Sequence, residues 1–247
     1  PYVGSMQRIL IEDEVPVRYV EYVFDTAKPL GYSINYKGDV VPTFRDTGLK
    51  TLYGNDYQIY RFGYANVPPF KDEKYVLNNN NYKTGIKAEL NSTMIRNELK
   101  SYALSWKDIS KRLYEDENFG DELKKGNLVK NLLPEDIKSI PVKNDRARAV
   151  LRFVQKNYTW DKSDDVKTDK GLRNLIATKV GNTAELNLFL ILLLRSADIP
   201  AEPVVLATTK RGILTGYLPS LAQLNFVAAS YIDADKFTIL DATSKQS

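Results

Sequence analysis

Neither cysteine nor histidine occurs in the 247 residues of this chain. The two side chains that most often attack, shuttle protons and bind zinc near neutral pH are therefore excluded together. That rules out thiolate catalysis, imidazole general-base catalysis, disulfides and Cys/His metal sites. Hydroxyls, carboxylates and lysines are what remain for chemistry. The most suggestive arrangement lies in GNTAELNLFLILLLRSADIPAEPVVL, residues 181–206. Asn182 and Glu185 have capping-box spacing, so Asn182 should cap a helix running to about Ala197, with Thr183 as its first residue. A group in that first turn meets unpaired N–H groups and the positive end of the helix dipole, which favour an anion. A threonine hydroxyl there would still need a base before it could attack. A carboxylate pair acting on glycosides needs two acids across a cleft, which spacing along a sequence does not establish.

These positions need a frame. From Gln7 to about Leu90 the sequence alternates with period two in runs such as VRYVEYVFD, YSINYK and YQIYRFGYA, separated by the turn signals KPLG, YKGD, YGND and NNNN. This predicts half-buried antiparallel strands. Many of the sixteen tyrosines fall here. They are read as amphipathic sheet residues, with a peptide- or glycan-binding face as the alternative. Helical periodicity replaces the alternation near residue 95. Ser105 and Asp108 have capping spacing before a helix at 105–115, and a second helix is predicted from Asp145 to Tyr158 with Val150, Phe153 and Val154 inward. Gly171–Thr178 makes a third. After the Asn182 helix come strands at about 203–208, 224–232 and 236–241. The aspartate-rich loop DKSDDVKTDKG at 161–171 lacks the glycine at its sixth position and the glutamate at its twelfth that a calcium loop needs. No metal or cofactor is expected.

Composition narrows the function classes. With 43% hydrophobic and 27% charged residues the chain should bury a sizeable core. Its 35 basic and 31 acidic side chains are interleaved, for a net charge of +4. The longest basic runs are two residues, so nucleic acid is not an expected partner. The apolar run Leu186–Leu194 falls far short of the roughly 20 residues that span a bilayer.

Several patches together resemble the transglutaminase-like, papain-related superfamily: SWKDISKRL, AVLRFVQKNYTW, GNTAELNLFLILLLRSADIPAEPVVL and FTILDAT, preceded by VPPFKDEKYVLNNNNYKTGIKAEL. The resemblance is to bacterial envelope proteins in which a β-sandwich domain of unknown function precedes the transglutaminase-like domain. It implies an α+β protein, with an N-terminal antiparallel β-sandwich followed by a domain of helices and antiparallel sheet. The corresponding divisions are 1–95, a helical connector at 96–142, and 143–247. It also implies a fragment, with the sandwich open to further strands and the last domain cut short at its C-terminus, and a periplasmic, cell-surface or secreted location. The family's cysteine falls on Thr183, its histidine on Phe226 or alternatively Asn225, and its aspartate on Asp241. Two of the three catalytic groups are thereby replaced. The expectation is a pseudoenzyme that binds or scaffolds an unidentified protein, peptide or glycan. A hydrolase with an unorthodox site around Thr183 and Asp241 is the alternative.

Overall fold

The structure, a computed structural model, describes residues 8–72, 74–101, 105–214 and 219–244. They divide into two compact units, one made of the described residues up to Ser105 with Pro219, the other of Trp106–Leu214 and the residues from Ser220 onward.

The first unit is built of strands, with one 3-10 turn at Asn79–Asn81. Its strands are β1 (Ile9–Leu10), β2 (Val17–Ala27), β3 (Leu30–Lys37), β4 (Phe44–Leu52), β5 (Asn55–Val67), β6 (Gly85–Ile95) and β7 (Glu98–Ser101). One antiparallel sheet has the order β2-β5-β4; the other runs β1-β6-β3, with β7 also on β6. Alternation sends Phe24, Phe62 and Tyr64 of the first sheet and Ile86 and Ala88 of the second into one apolar cluster, which makes the pair a sandwich. Tyr22, Tyr32 and Tyr60 pack on that cluster, whereas Tyr19, Tyr36 and Tyr53 are exposed. Part of the tyrosine content is therefore core, because a phenol ring fills a sheet interior, and at Tyr64 the hydroxyl is buried with the ring.

The second unit places helices around a small sheet. Its helices are α1 (Trp106–Tyr114), α2 (Gly120–Leu123), α3 (Glu135–Lys138), α4 (Lys143–Asn157), α5 (Gly171–Thr178) and α6 (Thr183–Ser196). The strands are β8 (Thr159–Trp160), β9 (Val180–Gly181), β10 (Ala201–Leu206), β11 (Phe226–Asp233) and β12 (Lys236–Leu240). Every residue of α6 from Thr183 to Leu194 is buried, as a helix apolar on all sides requires. It packs on β10 and β11 and against α2, α4 and α5. Among the described residues no helix is long and apolar enough to cross a membrane.

The antiparallel sheet has the order β10-β11-β12. β10 begins at Ala201, two residues before the sequence signal, and includes Pro203. An edge strand tolerates that proline because it needs no donor on its open side. β8 and β9 form a two-residue parallel pair, Thr159 with Val180 and Trp160 with Gly181, which ties the end of α4 to the start of α6.

Candidate functional site

Asn182 caps α6 as its spacing predicts. Its Oδ1 accepts the Glu185 N–H at 2.9 Å, and Glu185 Oε2 accepts the Asn182 N–H at 2.8 Å. The other Glu185 oxygen accepts two more backbone donors, from Lys170 at 2.8 Å and Gly171 at 3.0 Å, at the start of α5. With three N–H groups bound and 2% of its surface exposed, Glu185 is a structural acceptor. It is not placed as a free base.

Thr183 has no exposed surface. Its N–H and its hydroxyl both donate to the Ser163 carbonyl, each at 3.1 Å. The same carbonyl accepts the Trp160 indole N–H at 2.9 Å, so the 161–165 loop is fastened over the start of α6. The aspartate-rich composition of that loop serves local turns: Asp161 Oδ1 accepts the Ser163 N–H at 2.8 Å and Asp165 Oδ1 the Lys167 N–H at 3.1 Å. Asp164 Oδ1 lies 3.2 Å from Thr183 Oγ1. This is the one carboxylate in contact with the Thr183 hydroxyl among the described residues, and no sequence pattern points to it. A side chain nineteen residues away in a loop has no periodicity to announce it.

Asp241 lies just past β12. Its Oδ1 accepts the Asn187 amide at 3.2 Å and the Thr243 N–H at 2.9 Å, and the Thr243 hydroxyl donates to the same carboxylate. Asn187 in turn accepts the Ala242 N–H at 2.9 Å. Thr183 and Asn187 are four residues apart, one above the other on a single face of α6. Asp241 is thus brought to the helix face that carries Thr183, one turn further along.

Phe226 opens β11 opposite Leu206. Along this strand every residue from Val227 to Tyr231 is buried, while Ile232 is exposed, as are Phe237 and Ile239 on β12. Ile232 pairs with Phe237 and Ser230 with Ile239, so the even-numbered residues of β11 share the sheet face away from α6. Phe226 has that parity. Asn225, one residue earlier, has the parity of the inner face. Its Oδ1 accepts the Thr208 N–H and its amide donates to the Thr208 hydroxyl, both at 2.9 Å. The Asn225 amide is thereby committed to closing the β10-β11 pair.

The arrangement therefore brings Thr183, Asn187 and Asp241 onto one helix face and gives Thr183 a carboxylate neighbour in Asp164. The chain has no imidazole or thiol to set beside them. Among the described residues no group of three acidic side chains is placed to hold a metal ion.

Residues 133–242 match the family described as the transglutaminase-like superfamily. The fold resembles the crystal structure of a candidate protease from Parabacteroides distasonis, with a TM-score of 0.62 at 13% identity over 98% of this chain and 44% of that one. A candidate cysteine protease from Cytophaga hutchinsonii gives a TM-score of 0.37 at 13% identity, covering 97% of this chain and 75% of that one. The chain spans less than half the length of the Parabacteroides protein. No curated protein matches the sequence.

Proposed function

We propose, on the premise that residues 133–242 form a transglutaminase-like domain, that this domain is non-catalytic and serves as a binding or scaffolding module in a larger bacterial envelope or secreted protein. The observation that carries the reading is the condition of Thr183. It occupies the first position of the buried helix, has no exposed surface, and its hydroxyl is enclosed between two acceptors of the 161–165 loop, the Ser163 carbonyl and the Asp164 carboxylate. A hydroxyl ionises far above a thiol's pKa of about 8.5, so it attacks only when a base removes its proton. At the family's histidine position stands either Phe226 or the Thr208-bound Asn225. Asp241 is retained, but its partners are Asn187 and Thr243, so it orients backbone where the family's aspartate would orient a base.

Purified protein is expected to show no peptidase, amidase or transamidase turnover above buffer. Turnover that disappears in Thr183→Ala or Asp241→Ala would overturn the proposal.

A second reading, a hydrolase with an unorthodox site, draws support from the contact between Thr183 and Asp164. It requires the 161–165 loop to lift so that substrate reaches the hydroxyl. It predicts that Asp164→Asn abolishes a measurable activity as completely as Thr183→Ala does.

A further inference from the structure

Helix α4 carries a charge pattern that the fold does not use. Arg148, Arg152 and Lys156 recur at i, i+4 and i+8, which stacks them along about 12 Å of one helix face at 1.5 Å per residue. All three are exposed. They sit opposite Ala147, Val150 and Val154, the buried side of the helix. Elsewhere in this unit cations find acids: Lys124 with Asp121, Lys138 with Glu135, Lys143 with Asp233, Arg195 with Glu202. Among the described residues no ion pair forms at Arg148, Arg152 or Lys156. Beside them lies a groove of about 430 Å³ between α3 and α4, lined by Ile137, Ala149, Arg152, Phe153, Lys156 and Asn157. An apolar floor is thus edged by two unpaired cations, with a third one turn away.

We propose that this groove docks an acidic amphipathic peptide segment of a partner protein. An apolar side chain of that segment enters between Ile137 and Phe153, and carboxylates four residues apart meet Arg152 and Lys156. Charge complementarity selects an anionic partner, and the apolar floor selects among anions. A polyphosphate or a sulfated glycan gains nothing from Ile137, Ala149 and Phe153, whereas a peptide alternating acidic and aliphatic side chains satisfies both parts of the groove. Guanidinium and ammonium groups at the rim contribute orientation and encounter rate, and an anchored apolar residue contributes residence time. Because the stripe lies on the side of α4 turned away from its buried face, the proposal does not depend on whether Thr183 is catalytic.

The test uses the whole chain and a fluorescein-labelled helical peptide of glutamate, leucine and alanine, with glutamates at i and i+4 beside a leucine. Anisotropy should show saturable binding that weakens about tenfold or more in Arg152→Glu/Lys156→Glu and falls as salt rises. Replacing the leucine by serine should weaken it too. Amide shifts in the unsubstituted protein should map to α3 and α4, an outcome that does not depend on how the variant folds. The proposal is overturned if the peptide does not bind, if the double variant binds equally well, or if shifts map elsewhere. It is also overturned if leucine-free polyglutamate, heparin or phosphatidylglycerol vesicles compete as well as the peptide, which would make the stripe a general polyanion or lipid surface.

Discussion

The two units handle charge in different ways. In the β unit, charged side chains mostly meet other side chains at the surface: Arg61 with Glu21 at 2.6 Å, Lys28 with Asp56 and Lys50 with Asp25 at 3.5 Å. Even its buried Glu89 takes side-chain partners, Lys87 and Asn35. In the helical unit two buried carboxylates are spent on main chain. Glu185 holds three N–H groups, and Glu122 Oε2 accepts the Leu172 N–H at 3.2 Å while its other oxygen meets Lys125. Strand pairing already satisfies the backbone of a sheet, so charge there reinforces register. Helix starts leave N–H groups without partners, and once buried these need an acceptor from elsewhere.

If this contrast is right, the largest stability loss in the molecule should follow Glu185→Ala. It strands the amide of Asn182, which is buried, and those of Lys170 and Gly171, which are part-buried, and at about 1–3 kcal/mol for each buried unsatisfied group it should cost about 3 kcal/mol, read from a denaturant midpoint. Gly171→Ala should come next, at about 2–3 kcal/mol. That residue has φ +79°, and an added Cβ would lie 2.7 Å from Glu122 Oε1. Asn182→Ala removes only the cap and its amide bond to the Lys167 carbonyl, for about 1–2 kcal/mol by the same measurement.

A fourth effect is visible only in alkali. Partial burial of a residue that keeps 43% of its surface exposed, with the Glu202 carboxylate 3.0 Å from its hydroxyl, pushes the Tyr114 phenol up to about 12. A raised folded-state value means that this contribution is complete below the ordinary value of 10.0 and is lost as pH rises through about 12. Tyr114→Phe should delete the latest step of the ultraviolet tyrosinate titration. The smallest effect belongs to the β unit. The Arg61 hydrogen bond holds the Glu21 carboxyl below its ordinary value, so its contribution is present above about 4.5 and lost as pH falls through the lower folded value. The pair is solvent-exposed, and Arg61→Gln should leave the thermal midpoint at neutral pH nearly unchanged, less so in low salt. A drop as large as that of Glu185→Ala would erase the contrast between the units.

What could be read from the sequence follows the range of each interaction. The Asn182 cap is a four-residue pattern, and both of its reciprocal bonds are present. The sandwich follows from alternation, since neighbours two apart share a face. Asp164 beside Thr183, Glu122 beneath α5 and the β8-β9 pair join segments nineteen to fifty residues apart, and no local period encodes them. The sequence leaves the family's histidine position between Phe226 and Asn225 for a different reason. Adjacent strand residues point to opposite faces, so an uncertainty of one residue exchanges inside for outside. α4 shows the same limit: its basic residues are plain in the sequence, but their lack of partners and the groove beside them become visible only when α3 is laid alongside.

One carboxylate, Glu185, fastens the first turns of both α5 and α6. Neither turn can fray while Glu185 keeps its place, and neither retains its acceptor once Glu185 leaves. The amides of Lys170, Gly171 and Asn182 should therefore exchange with solvent deuterium through a single shared opening, at a common free energy, even though they begin different helices.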